Sequence, residues 1–153
     1  MATFFQRNTS YVLLIDKDEQ FRKHLETFLV NKKIIIVGSF DDDESIAGQQ
    51  LSAVPNLAIL EFKNDIDRTA AAVRRLKEVF HAIKIIINSS INDGLSINNT
   101  LEIEANALIY KGISGGDSIL RAIKAVIEGR SFLSRPQTLY KSAHGEFNEL
   151  LKP

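Results

Sequence analysis

The sequence predicts an α/β domain: a five-stranded, doubly wound parallel sheet with helices on both faces. Three observations lead there. Five short runs, 12–15, 34–37, 57–60, 85–87 and 107–110, are apolar throughout rather than alternating, as strands covered on both faces are. Between them lie segments long enough for helices, several with apolar residues at helical spacing. The alternation repeats along the chain, and right-handed crossovers then place helices on both faces.

The first helix is expected over 19–30, with Phe21, Leu25, Phe28 and Leu29 on one stripe and Asp18 as its N-cap. A weaker helix is expected over 44–53, interrupted by Gly48. The third, over 68–80, groups Ala72, Val73, Leu76 and Phe80 and turns Arg74, Arg75, Lys77 and Glu78 to water. The fourth, over 96–105, is polar. The fifth, over 116–128, aligns Ile119, Leu120, Ile123 and Ile127 and stops at Gly129. Residues 1–10 read as a short lead-in without the pattern of a secretion signal. Residues 135–153 read as a linker or a loosely attached helix.

Composition narrows the function classes. The chain has 153 residues, enough for one domain with a real core. Its 19 Lys plus Arg balance its 19 Asp plus Glu, so no global field attracts nucleic acid or an anionic membrane. There is no Cys, which excludes disulfides and thiolate metal sites and fits a reducing, cytoplasmic setting. No apolar run approaches the roughly 20 residues that span a bilayer.

Four polar residues fall where apolar strands run out: Asp16, Glu61, Ser89 and Lys111. The carboxyl ends of parallel strands form one crevice, where ligand chemistry collects. Two acids, a hydroxyl and an amine converging there make a phosphate-handling layout. Other groups have plainer readings. Asp41, Asp42 and Asp43 read as a solvated loop or a helix N-terminus. His24, His81 and His144 are scattered and form no triad or ligand set. Ser114-Gly115-Gly116 lacks the Lys and the further glycines of a phosphate loop. Asp16-Lys17-Asp18-Glu19 is too acidic to seat a flavin phosphate at a helix N-terminus.

The stretches LLIDKDEQFRKHL, PNLAILEF, RRLKEVFHAIKIIINSS and EANALIYKGISGGDSILRAIKAVIEGRSFLS resemble the receiver domain of bacterial two-component response regulators. The spacing of the four strand-end residues is similar to that of the subfamily whose receivers precede a LuxR-type helix-turn-helix. The resemblance covers residues 11–134. It implies a flavodoxin-like three-layer sandwich with strand order 2-1-3-4-5. Asp16 matches the first member of the family's acidic pair, and Lys17 stands at the second. Glu61 stands at the phosphorylated Asp, Ser89 at the switch hydroxyl and Lys111 at the invariant Lys. Leu108 replaces the switch aromatic.

These departures imply a degenerate receiver. Mg²⁺ wants hard oxygen ligands, and phosphoryl transfer needs the ion to neutralise charge. Here two carboxylates face two ammonium groups, a formal sum of zero. Two like charges about 4 Å apart repel by roughly 4 kcal/mol at an effective dielectric near 20. A weak Mg²⁺ site at Asp16 and Asp18 stays open, although the commoner role of Asp18 is the cap. Glu61 is one methylene longer than Asp and reaches toward Lys111, which points to a fixed state without phosphate. The expectation is a non-enzymatic signalling module without cofactor. It would bind a protein partner or a second copy through the face of the fourth helix, fifth strand and fifth helix (Ile97, Ile103, Tyr110, Ile113, Arg121 and Lys124). The alternative is a working phospho-acceptor that uses Mg²⁺. DNA contact would need a further C-terminal domain, and the tail leaves open both a stand-alone receiver and a piece of a transcription regulator.

Overall fold

The computed structural model describes residues 9–30, 32–46, 48–90, 95, 97–111 and 115–133. The strands are β1 (Ser10–Ile15), β2 (Ile34–Phe40), β3 (Leu57–Glu61), β4 (Lys84–Ser89), β5 (Ala107–Tyr110) and β6 (Phe132–Leu133). The helices are α1 (Glu19–Leu29), α2 (Ile66–Val79), α3 (Ile97–Glu102) and α4 (Gly115–Ile127). All strand pairs are parallel, in the order β2-β1-β3-β4-β5-β6. This is the expected 2-1-3-4-5 order with a short sixth strand added.

The continuous apolar runs serve two cores. Leu13, Ile15, Ala58, Leu60, Ile85, Ile87 and Leu108 point to one face, against Ala72, Val73 and Leu76 of α2. Val12, Leu14, Leu57, Ile59, Ile86, Ala107 and Ile109 point to the other, against Leu25 and Leu29 of α1 and Ala122, Ile123 and Val126 of α4. Alternation sends successive residues to opposite faces, so a strand buried on both sides must be apolar throughout. Full burial of each Leu or Ile contributes about 1.5–3 kcal/mol.

Local signals set the helix ends. Asp18 caps α1 by accepting from Phe21 N at 3.1 Å, and Asp65 caps α2 by accepting from Arg68 N at 3.1 Å. The second cap starts α2 two residues earlier than its apolar spacing suggests. Gly129, at φ 85°, ends α4. Its N–H reaches Val126 O at 3.0 Å and that of Arg130 reaches Ala125 O at 2.8 Å, a Schellman closure.

Three expectations need correction. No helix spans 44–53 among the described residues; a 3₁₀ turn (Asp43–Ser45) stands there instead. Asp42 accepts from Glu44 N, Gly48 adopts φ 83°, and the side chain of Asp43 is held by ions below the turn. Of the two readings of 41–43, the helix N-terminus holds, since Asp42 caps the turn and Asp43 opens it, but Asp43 is not solvated: its side chain is 0% exposed. Lys63 Nζ lies 2.8 Å from Asp43 Oδ1, and Arg75 Nη2 lies 2.8 Å from Oδ2. Finally, the sheet has six strands rather than five, because after Gly129 Phe132 pairs with Ala107 and Leu133 with Leu108 to form β6. β1 likewise opens at Ser10, inside the expected lead-in. Residues 135–153 lie outside the described residues.

Candidate functional site

Asp16 is the first residue beyond β1, and its N–H donates to Phe40 O at 3.0 Å, which continues the β1–β2 ladder by one rung. Arg22 fixes it from the helix side: Nη1 donates to the Asp16 carbonyl, and Nε donates to Ser39 Oγ at 3.0 Å. The carboxylate is 3% exposed. Its Oδ1 accepts from Asp18 N at 2.9 Å, and its Oδ2 lies 2.7 Å from Lys111 Nζ.

Glu61 closes β3. Its Oε1 accepts from Lys17 N at 3.2 Å, and its Oε2 accepts from Lys111 Nζ at 3.3 Å. Lys111 follows β5, and its backbone N–H donates to Ser89 O at 2.8 Å, which anchors the residue to the end of β4. Its ammonium also sits 4.7 Å from the centre of the Phe21 ring, a cation–π distance. One cation therefore bridges both acids.

Burial alone would lower the Lys111 pKa, but the hydrogen bond to Asp16 and the charges of Asp16 and Glu61 outweigh it and raise it above its ordinary value. Burial pushes the Asp16 carboxyl up, against the lowering pull of Lys111 and of the Asp18 N–H. The three charges sum to −1, with the ammonium in the middle.

A cleft of about 140 Å³ opens beside this bridge, lined by Lys17, Glu61, Phe62, Asn64, Asn88, Ser90 and Lys111. Lys17 was expected to supply the intruding cation. Its side chain is exposed, and it meets Glu61 through its backbone N–H. Ser89 is buried and donates to Ser90 O at 3.1 Å; it is Ser90 that lines the cleft. Asn64, which sequence reasoning passed over, adopts φ 63°, a conformation that Asn tolerates better than most residues.

The expected interaction face changes in content. Ile103 and Tyr110 are 3% and 8% exposed and belong to the core, so they offer no surface. Strand alternation puts Tyr110 on the same inward face as Leu108, and its hydroxyl donates to Leu95 O at 3.1 Å. An aromatic therefore does occupy this region. Arg121 and Lys124 are exposed on α4. Ile113 and the side chain of Ile97 lie outside the described residues.

No protein-family model matches the sequence, and no curated protein matches it. Solved structures do match. The isolated receiver domain of RcsB from Salmonella enterica serovar Typhimurium, with the phosphomimetic BeF₃⁻, superposes at TM-score 0.68 and 16% identity over 84% of this chain and 96% of that one. The non-phosphorylated receiver domain of the stress response regulator RcsB from Escherichia coli gives 0.68 and 18% over 84% and 100%. A LuxR-family two-component response regulator from Aurantimonas sp. SI85-9A1 gives 0.68 and 16% over 91% and 99%. At these identities the likeness is one of fold. The chain has the flavodoxin-like architecture of response-regulator receiver domains, and none of its described helices is long and apolar enough to cross a membrane.

Proposed function

We propose that this chain is a degenerate receiver: a cytoplasmic signalling module that works by protein contact, with its phospho-acceptor site closed by an internal ion pair. One observation carries the reading. The Lys111 ammonium lies between Asp16 and Glu61, where a receiver resembling the intact family would gather charge for a cation and a phosphoryl group.

The donor set supports this. Asp16 Oδ1 and Glu61 Oε1 each accept a backbone N–H, and the other two oxygens face Lys111. Asp18, the third acid nearby, is committed to capping α1. Among the described residues no three His, Cys, Asp or Glu converge to hold a metal. Mg²⁺ asks for near-octahedral oxygen ligands and sheds its water reluctantly, so a set already filled by N–H donors and an ammonium fits it poorly. Glu61, one methylene longer than Asp, carries its charge toward Lys111, so the chain satisfies its own cation without phosphate. The partner is a protein or a second copy, and the exposed Arg121 and Lys124 of α4 form the part of the expected face that remains available. The structural relative RcsB forms dimers that bind DNA.

The test is a titration with Mg²⁺ and beryllofluoride followed by amide NMR, with acetyl phosphate and mass spectrometry in parallel. The reading expects no saturable shift at Asp16, Glu61 or Ser89 at millimolar metal, and no added phosphoryl group. A metal-dependent shift with an acyl phosphate on Glu61 would overturn it in favour of a working phospho-acceptor.

A further inference from the structure

Between α1 and α4, on the face of the sheet opposite α2, lies a cavity of about 460 Å³. Small-molecule pockets run from about 300 to 1,000 Å³. Its walls include Phe21, Leu25, Phe28, Ile109 and Ile119, and Lys111 and Asn88 complete one end. Asn88 shares its strand face with Ile86, which packs into the α1–α4 core, so alternation aims its side chain into this space. It is 1% exposed, and neither its Oδ1 nor its Nδ2 has a hydrogen-bond partner among the described residues. Burying an amide without partners is costly. An aliphatic residue would have extended Ile85-Ile86-Ile87 at no such cost.

We propose that this cavity binds a small, neutral, flat heteroaromatic molecule that presents an adjacent N–H and C=O, the lactam edge found on nucleobases. The Asn88 amide has one acceptor and a donor beside it, and a lactam is complementary to that pair. Phe21 and Phe28 provide ring surfaces for a planar partner. Neutrality follows from the adjoining charges: a cation would meet the Lys111 ammonium that lines the cavity, and an anion would meet the net −1 that Asp16 and Glu61 make with it. The ligand is thus a base-like ring, not a nucleotide. Lys111 joins this cavity to the acidic site, since its ammonium faces the Phe21 ring while it bridges Asp16 and Glu61. A ring seated on Phe21 would be felt at the ion pair. The proposal goes beyond the signalling role and stands whether or not Glu61 is ever phosphorylated.

The test uses the full chain without metal and isoquinolin-1(2H)-one as the probe, followed by amide NMR. Saturable shifts are expected at Phe21, Asn88 and Ile109. The N-methyl analogue, which lacks the donor, should bind about tenfold more weakly or worse. Asn88→Leu should lose the saturable shifts while its thermal midpoint stays level or rises. No saturable shift with the lactam overturns the proposal. So does equal binding of the N-methyl analogue, which would mark an apolar void only, or unchanged binding by Asn88→Leu. The ligand-side comparison on the wild-type chain decides the matter even if that variant folds poorly. Because no Mg²⁺ or beryllofluoride is added, the result is independent of the phosphorylation test.

Discussion

Lys111 spends one ammonium on two carboxylates and an aromatic ring. Removing it leaves Asp16, at 3% exposure, as an uncompensated buried charge. Lys111→Met should cost about 2–3 kcal/mol, less than the 3–5 kcal/mol of a fully buried pair because the Lys111 side chain is itself 24% exposed. Adding Asp16→Asn should recover most of that loss; denaturation of the two single variants and the double variant checks this, and simply additive losses would contradict it. The pH dependence has a definite sign. Lys111 is raised above 10.5 in the folded chain, so its contribution is fully present below pH 10.5 and is lost as pH rises through the folded value. The gap between wild type and Lys111→Met should therefore narrow in alkali. Asp16 has the same sign: its carboxyl is raised by burial, so ionising it costs stability as pH rises through its folded value, and acidification through that value relieves part of the burial cost. The three partners were legible in the sequence because each is a polar residue where an apolar strand ends. That Glu61 would reach Lys111 was legible as well. The part played by Lys17 was not: only the local backbone path turns its N–H, rather than its ammonium, toward Glu61.

At the scale of elements, the 3₁₀ turn after β2 shows how ion pairing can displace a weak helix. Asp43 is gripped by Lys63 and Arg75, and Lys63 also meets Asp42 at 3.0 Å. Burial opposes the charge on Lys63, yet its bonds to Asp43 and Asp42 raise its pKa overall. Asp43→Ala would strand Lys63, whose side chain is only 11% exposed, with one partly exposed acid. The expected cost is about 3 kcal/mol in chemical denaturation; a loss below half a kcal/mol, the usual size of a surface change, would mean that the network is incidental. The run Asp41-Asp42-Asp43 gave no sign of this. Its partners lie 20 and 32 residues further on, and long-range pairing leaves no mark on local periodicity. β6 escaped for a related reason. Two residues carry no strand pattern, and Phe132 and Leu133 become a strand only because the edge of β5 is there to pair with. The long apolar strands, by contrast, have one way to hide both faces, and each predicted run falls inside an observed strand that extends it by at most three residues at an end.

For the molecule as a whole, the parallel order gathers the ends of β1, β3, β4 and β5 at one rim, and the two cores fix those ends from opposite faces. The receiver fold was legible because strand order, continuous burial and the strand-end acids agree with one another. The state of the rim depends on side-chain reach, which a sequence does not display. The central claim is that this rim pairs its own acids, with Lys111 held as an ammonium between Asp16 and Glu61. Its most direct measurement is ¹⁵N NMR of the Lys111 ammonium, titrated with base and then with millimolar Mg²⁺. The account predicts a pKa above 10.5 and a resonance that Mg²⁺ leaves unmoved. A Lys111 that titrates at or below its ordinary value, together with a resonance that shifts as Mg²⁺ occupies Asp16, would contradict it.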